Sequence, residues 1–183
     1  MAKSQNNVVT HGLSGKIGDL LVFSQRGGKT IVSNAPRKSN KVSEAQKQQR
    51  KKFQQAVLYA VGAQSLPEYK MAAAKKGKTP YIVAVADFLN APDIERVDVS
   101  GYTGQPDDTI RIYVTDDFSV KSVMVSIINV DGSLVEEGQA QPHAAGYGWI
   151  YTATQTNTGL AGDKIEILAS DTPGNIVKEE QSL

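Results

Sequence analysis

The sequence changes character at Asn90-Ala91-Pro92-Asp93. Residues 1–90 contain 15 Lys and Arg against 4 Asp and Glu, a net charge of 15 − 4 = +11. Residues 91–183 contain 5 against 15, a net charge of 5 − 15 = −10, so the overall +1 conceals two oppositely charged halves. A helical pattern ends and a β pattern begins here, and Pro92 disfavours helical geometry at Ala91. We therefore predict two domains, residues 1–91 and residues 92–183.

The composition limits the class of protein and its compartment. A length of 183 residues allows one large domain or two small ones. No apolar run approaches the roughly 18 residues of a membrane-spanning helix. The first residues lead into no apolar segment of the signal-peptide type, so we expect synthesis in a cytoplasm without general secretory export. The chain has no cysteine, which excludes disulfides and thiolate metal sites.

The N-terminal half begins with a predicted β-hairpin. Two β-rich runs, residues 19–25 and 30–33, flank Gly27-Gly28, and a glycine pair in this position is typical of a two-residue turn. A lone hairpin is marginal in water, so we expect it to pack on another element or pair with a neighbouring chain. We expect the first ten or so residues, which are polar, to form a flexible arm. Gly28-Lys29-Thr30 resembles the end of a phosphate-binding loop, but Phe23 replaces the required glycine, which favours a hairpin tip.

Three short helices are predicted after the hairpin, over residues 44–61, 66–74 and 80–89. Ser43 and Gln46 have the spacing of a capping box, which begins the first helix. Gly77 is a plausible residue just beyond the second helix, and Thr79-Pro80 has the cap and N1 residues of the third. One apolar stripe follows the first helix at helical spacing: Phe53, Ala56, Val57, Ala60 and Val61.

After residue 92 apolar and polar residues alternate with the period of two that is typical of half-buried strands. The alternating apolar positions include Ile110, Ile112, Val114, Val123, Val125, Ile127, Trp149, Tyr151, Ala153, Ile165, Ile167 and Ala169. About seven short strands separated by turn signals such as Asp131-Gly132 predict an immunoglobulin-like β-sandwich, with Trp149 in its core. The predicted fold class is therefore α+β, a hairpin with short helices followed by an all-β domain.

We find no catalytic, cofactor-binding or metal-binding constellation in the sequence. His11 and His143 lie far apart in predicted loops, without companions for a triad or a zinc site. Glu136 and Glu137 are adjacent in a predicted strand, so their side chains should point to opposite faces. An enzyme is therefore the least expected class.

Aspartates occur at several predicted strand ends: Asp107-Asp108, Asp116-Asp117, Asp131, Asp163 and Asp171. Carboxylates collected at one end of a sandwich can bind Ca²⁺ through their oxygens. Aspartate is also favoured in turns because its side chain bonds the local backbone. We interpret these residues as turn residues, and a Ca²⁺- or carbohydrate-binding adhesion module remains an alternative.

The strongest charge feature is a basic cluster at the start of the first helix. Its members are the predicted partner-binding residues: Arg37, Lys38, Lys41, Lys47, Arg50, Lys51 and Lys52. Positive charge near a helix N-terminus is disfavoured by the helix dipole, which indicates a compensating acidic partner. That partner could be an acidic protein surface, including the acidic half of a neighbouring copy, or the nucleic-acid backbone. A solvated helix face explains the cluster equally simply.

Two parts of the chain resemble a known group of proteins. Residues 11–23 together with Gly28-Lys29-Thr30-Ile31-Val32 resemble the opening of uncharacterised proteins from gut Bacteroidetes and their phages, with Ser33 in the position of the family's arginine. In that family the hairpin precedes a Ser-x-x-Gln-x-x-x-Arg-x-x-Phe helix, which is matched by Ser43, Gln46, Arg50 and Phe53. The second half looks like the immunoglobulin-like module attached to such proteins, at Tyr102-Thr103-Gly104, Asp116-Asp117, Asp131-Gly132, Trp149, Tyr151 and Pro173-Gly174-Asn175.

Similarity to structural proteins of crAss-like phages implies a virion role, as an auxiliary capsid or decoration protein. We expect the basic half to dock on major capsid or other virion proteins, in a particle assembled in the host cytoplasm, with the immunoglobulin-like half displayed. A homo-oligomer is also compatible with the sequence, and the bacterial cytoplasm is the alternative location. A nucleic-acid-associated protein that uses the basic helix is the alternative function. We expect no cofactor and no membrane contact.

Overall fold

A computed structural model describes residues 2–4, 8–26, 28–36, 42–144, 146 and 148–183. The chain divides into two compact units, Met1–Gln46 and Lys47–Leu183. The predicted boundary between residues 91 and 92 therefore falls inside the second unit, which contains most of the helical region as well as the β-rich half. The functional division into an attaching half and a displayed half stays a prediction.

The first unit is a four-stranded antiparallel sheet with the order β1-β4-β3-β2. Its strands are β1 (Ala2–Ser4), β2 (Gly15–Ile17), β3 (Leu21–Arg26) and β4 (Lys29–Asn34). The hairpin is confirmed, because Arg26 pairs with Lys29 and Gly28 has the positive φ of 72° that its turn requires. The predicted flexible arm is wrong for Ala2–Ser4, whose backbone pairs with the otherwise open edge of β4. Gly15–Ile17 pairs along the other edge of the hairpin.

Side-chain hydrogen bonds hold the segment before β2 against this sheet. The Gln25 amide donates to the carbonyl of Leu13 at 2.9 Å and to Thr30 Oγ1 at 2.8 Å. The Thr30 hydroxyl, in a side chain that is 3% exposed, donates to the carbonyl of Thr10 at 3.0 Å. None of the described apolar side chains of this unit is fully buried. The unit is therefore held mainly by hydrogen bonds.

The three predicted helices are confirmed as α1 (Glu44–Ala63), α2 (Pro67–Lys76) and α3 (Pro80–Leu89). Both bonds of the capping box form, because Gln46 N donates to Ser43 Oγ and Ser43 N donates to Gln46 Oε1, each at 3.2 Å. Thr79 Oγ1 accepts from the N–H of Ile82 at 3.3 Å and so caps α3. Gly77 follows α2 in the left-handed conformation, as expected for a helix end.

Small residues of α1 face the other helices. Ala56 and Ala60 are completely buried, whereas Phe53 and Val61 at the flanks of the predicted stripe are 50% and 58% exposed. The helical core consists of Ala60, Ala63, Tyr69, Ala73, Val83 and Ala84. Alanine lets the helices approach closely, so the larger apolar residues of the stripe are left toward solvent.

The β-rich part consists of two further four-stranded antiparallel sheets, ordered β5-β6-β10-β9 and β12-β11-β7-β8. Their strands are β5 (Asp93–Asp98), β6 (Thr109–Thr115), β7 (Val120–Ile128), β8 (Leu134–Gln139), β9 (Gln141–Pro142), β10 (Gly148–Thr152), β11 (Lys164–Asp171) and β12 (Ile176–Ser182). The mixed α+β class is thus confirmed, with a sandwich-like pair of sheets.

One hydrophobic core lies between these two sheets, and its residues are the ones that the alternation predicts. Residues with no exposed surface include Ile110, Ile112, Val123, Val125, Ile127, Ile165, Ile167 and Ala169. Arg111, which alternates with them, is exposed. Trp149 is partly buried and packs against the core. Burial on alternate positions of three strands, β6, β7 and β11, explains why the pattern in this half is so regular.

Candidate functional site

The predicted partner-binding residues lie on the first turns of α1 as far as the structure describes them. Arg37, Lys38 and Lys41 lie outside the described residues. Lys47, Arg50, Lys51 and Lys52 are all exposed in α1. Lys47 is three and four residues from Arg50 and Lys51, so these three cations share one face of the helix.

Lys52 points away from that face and has a structural contact. Its Nζ donates to the backbone carbonyl of Leu89 at 2.9 Å, at the C-terminal end of α3. A cation in this position interacts favourably with the helix dipole and satisfies one of the last carbonyls. The predicted cluster is therefore divided between three residues on a shared face and one that supports α3.

The same face of α1 becomes apolar toward its C-terminal end. Leu58 and Val61 are 75% and 58% exposed and lie three residues apart. Arg50 precedes them by eight and eleven residues, close to two and three helical turns, so all three lie along one face. This face of α1 thus combines cationic and apolar side chains, a combination that suits contact with another macromolecule.

A second candidate site is a cluster of three carboxylates in the second unit. One oxygen each of Asp87, Asp116 and Asp171 lies within 4.8 Å of the others. Asp87 is in α3, Asp116 follows β6 and Asp171 ends β11. We call these three residues the carboxylate cluster. Residues far apart in sequence meet here at the junction of the helices with the sheets.

Two members of the cluster also have the turn role that the sequence predicts. Asp116 Oδ2 accepts from the N–H of Phe118 at 3.1 Å and of Ser119 at 2.7 Å. Asp171 Oδ1 accepts from the N–H of Gly174 at 2.9 Å and of Asn175 at 2.6 Å. The turn interpretation is therefore confirmed for both. The other oxygen of Asp116 is left to the cluster, whereas Asp171 Oδ2 also accepts from the Asn175 amide at 2.7 Å.

Asp87 is the member that sequence reasoning missed. Its side chain has no exposed surface, its Oδ2 accepts from the Tyr69 hydroxyl, and Tyr69 shares a 2.8 Å hydrogen bond with the hydroxyl of Tyr59. Burial raises the pKa of Asp87 to about 7, and the charges of Asp116 and Asp171 act in the same direction. The available signal was an aspartate inside an otherwise apolar helix, Tyr81-Ile82-Val83-Ala84-Val85-Ala86-Asp87-Phe88-Leu89.

Asn175 joins the cluster to the end of α3. Its amide nitrogen lies 3.2 Å from the carbonyl oxygens of Asp87, Phe88 and Asn90, and 2.7 Å from Asp171 Oδ2. These carbonyls belong to the last turn of α3 and to the residue after it, where no N–H group of the helix is left to donate to them. A single side chain therefore caps α3 and positions Asp171.

The remaining candidates do not converge on a site. His11 and His143 are both exposed. Glu136 is buried and accepts from the N–H and hydroxyl of Thr154, whereas Glu137 is exposed and accepts from Ser126 Oγ at 3.1 Å. Adjacent glutamates thus point to opposite faces of β8, as the strand pattern predicts.

A comparison with protein-family models and with curated proteins finds no match to this chain. Within the part of the chain that the structure describes, no helix is both long and apolar enough to span a membrane.

Proposed function

We propose that the protein is a non-enzymatic structural component of a phage particle, an auxiliary capsid or decoration protein. In this proposal the basic N-terminal part docks on a major capsid or other virion protein, and the β-sandwich is displayed. The assignment to a phage particle rests on the sequence resemblance. The docking role rests on the sheet of the first unit.

The observation that supports docking is an apolar face of the first unit's sheet that stays partly exposed, although the segment containing Thr10 and Leu13 bonds to Gln25 and Thr30 at one end of the same face. Ile17 and Leu21 are 58% and 37% exposed, and they pair directly with one another across β2 and β3. Phe23 pairs with Val32 across β3 and β4 and lies two residues from Leu21, on the same face. Sheets are stable when such a face is buried against another layer. A partner surface would supply that layer.

The charge of the first unit indicates the chemistry of its partner. Residues 1–46 contain seven Lys and Arg against two Asp and Glu, a net charge of 7 − 2 = +5. Lys47, Arg50 and Lys51 follow immediately on the exposed face of α1. An acidic surface with an apolar patch is the complementary partner, and complementary charge accelerates and orients association. β1 and β2 are the outer strands of the sheet that the structure describes, so their edges are candidates for strand addition.

The order of the strands supports an immunoglobulin-like assignment for the displayed part. If β5 to β7 are strands A to C, β8 is C′ and β9 to β12 are D to G, the two sheets read A-B-E-D and G-F-C-C′. An immunoglobulin fold has A-B-E-D on one sheet and C-F-G on the other, and some members add C′ beside C. Modules of this type are commonly used for display and contact, which fits a decoration protein.

The proposal is tested by adding purified protein to undecorated particles and measuring the bound fraction after sedimentation. Ile17→Ser should weaken binding at least about tenfold, because it places a polar side chain in the apolar face. Leu134→Ser is the matched control, since Leu134 is also 58% exposed but lies in β8. Mass spectrometry of native particles is the independent measurement. Absence of the protein from particles, or equal binding of both variants, contradicts the proposal.

Binding to nucleic acid is a second candidate, which the shared face of Lys47, Arg50 and Lys51 favours. Neutralising phosphates releases counterions, so the logarithm of affinity should fall linearly with the logarithm of salt concentration. A triple alanine variant at these positions should reduce the slope by about 3 if all three contact phosphate. Undetectable DNA retention at low salt by the wild-type protein excludes this candidate.

A further inference from the structure

We propose that the carboxylate cluster of Asp87, Asp116 and Asp171 is a binding site for a divalent cation, and that the ion is calcium. The inference concerns the second unit only. It does not depend on the proposed role in a phage particle.

The distances fit a single ion of this size. One oxygen of each carboxylate lies within 4.8 Å of the other two. Calcium binds oxygen at about 2.3–2.6 Å, so two ligands on opposite sides of it are about 4.6–5.2 Å apart. Magnesium binds at about 2.0–2.1 Å, usually through only one or two protein carboxylates, and it retains several of its waters. A site with three protein carboxylates therefore favours calcium.

Two carboxylate oxygens at the cluster lack any other partner. Asp87 Oδ1 and Asp116 Oδ1 are buried and accept no hydrogen bond from the described residues. Buried acceptors are almost always satisfied, because an unmet one retains its full cost of desolvation. Asp87 is completely buried, so bulk water does not reach it in the folded chain. A bound cation satisfies these oxygens.

The second oxygen of each carboxylate accepts hydrogen bonds from the protein, as the ligands of metal sites commonly do. Tyr69 donates to Asp87 Oδ2, and backbone N–H groups donate to Asp116 Oδ2. Asp171 Oδ1 accepts two backbone N–H groups in the turn after β11. Bonds of this kind fix the orientation of ligating carboxylates and strengthen metal binding. Each aspartate is thus already oriented before an ion arrives.

Charge and access are consistent with cation binding. None of the ion pairs found in the described part of the chain involves these three aspartates. Asp116 lies at the edge of a solvent-open hollow that it forms with Asn90, Ala91, Asp93, Thr115 and Asp117. In this proposal the ion approaches from the Asp116 side, where water in the hollow would supply the ligands that three carboxylates leave open.

An ion at this position would join three separate elements of the second unit. Asp87 comes from α3, Asp116 from the β6–β7 connection and Asp171 from the end of β11. Calcium would thus stabilise the attachment of the helical layer to the sandwich, as a structural ion.

The direct test titrates the metal-free full-length protein with terbium, which replaces calcium and emits when a nearby tyrosine is excited. Tyr69, bonded to Asp87, is close enough to act as the donor. We expect saturable terbium emission that calcium competes away. Calcium at about ten times its dissociation constant should raise the melting temperature by about 3–6 °C. Absence of both signals overturns the proposal.

Substitutions in the carboxylate cluster test whether the ion binds there. Asp116→Asn and Asp171→Asn should each weaken calcium binding at least about tenfold and remove the melting shift. Asp131→Asn is the matched control, because Asp131 accepts a turn N–H from Ser133 at 2.8 Å but lies outside the cluster. A shift that both cluster variants retain places the ion elsewhere and overturns the site. If a variant does not fold, the terbium titration of the wild-type protein still decides, and a larger shift with magnesium than with calcium refutes the choice of ion.

Discussion

The N-terminal sheet and the β-sandwich are both built from short antiparallel strands, yet they differ in how they are stabilised. Ile167 in β11 has no exposed surface, whereas Ile17 in β2 is 58% exposed. The sandwich buries its apolar residues between two sheets and so supplies its own hydrophobic free energy. The described part of the N-terminal unit contains no second sheet, and its sheet relies on side-chain hydrogen bonds such as those of Thr30. Alternation along a strand predicts which residues share a face. That face becomes a hydrophobic core only where a second layer covers it.

The largest expected effect comes from opening the sandwich core. Ile167→Ala removes buried methyl and methylene groups and leaves a cavity, so the free energy of unfolding should fall by about 2–5 kcal/mol. Trp149 is the single tryptophan and packs against this core, which makes its fluorescence during urea unfolding a direct measurement. A change below about 1 kcal/mol would show that the two sheets do not share a tightly packed core.

Replacing one glycine in each region should also give clearly different losses of stability. A Cβ at Gly104, where φ is +85°, would overlap the carbonyl oxygen of Asn157, whereas one at Gly28, where φ is +72°, would meet nothing within 4 Å. Both alanine variants suffer backbone strain, but only Gly104→Ala also displaces a neighbouring loop. We expect a loss of about 2–4 kcal/mol for Gly104→Ala and about 1 kcal/mol for Gly28→Ala, measured by thermal unfolding. Equal losses would contradict the close packing of the sandwich loop.

Lowering the pH should remove the stability that an ionised turn aspartate of the sandwich, Asp108, contributes. The N–H of Gln105, and the N–H and hydroxyl of Thr103, donate to Asp108 and hold its pKa below the ordinary value of 3.8. A carboxylate with a lowered folded-state pKa stabilises the protein above that ordinary value, and this contribution is lost as pH falls through the folded-state pKa.

Asp108→Asn should therefore be less stable than wild type at pH 7, and the difference should narrow as the pH is lowered below about 3.8. Urea unfolding across this pH range is the measurement. Asp19→Asn is the control, since the Asp19 side chain is 95% exposed in its ion pair with Lys16. A stability difference that does not change with pH would refute the role of the Asp108 charge.

The smallest expected effect is at the exposed face of the first unit. Ile17→Ala should change stability by no more than about 0.5 kcal/mol, because the side chain already contacts water. Circular dichroism during thermal unfolding checks this, and Ile167→Ala is the matched comparison. A loss of 2 kcal/mol or more in the isolated protein would mean that this face is already covered in solution.

Local sequence signals predicted much of the fold. The capping box at Ser43 and Gln46, the cap at Thr79 and the glycine turn of the hairpin each depend on a few adjacent residues. The period of two from Ile110 to Ala169 identified the buried face of the central strands, because those strands share one core. Each of these features is decided within one element or one turn of chain.

Features that depend on distant residues were not predictable in the same way. Ala2–Ser4 forms a strand because the edge of β4 is open, which no pattern in residues 2–4 indicates. Asp87 looked like a polar position in an apolar helix until α3 was placed beside Asp116 and Asp171. Asn175 lies in the turn between β11 and β12, yet its amide also caps α3, which no local pattern indicates. Of the predicted basic cluster, Lys52 proved to contact Leu89.

The cap that Asn175 places on α3 has a consequence for synthesis on the ribosome. Asn175 follows Asp87 by 88 residues. At about 5–20 residues per second, α3 waits roughly 4–18 s for that cap after Asp87 is made. During this interval the carbonyls of Asp87, Phe88 and Asn90 lack the Asn175 amide as a donor. The C-terminal end of α3, although earlier in the chain, is therefore capped only after the turn between β11 and β12 has been made.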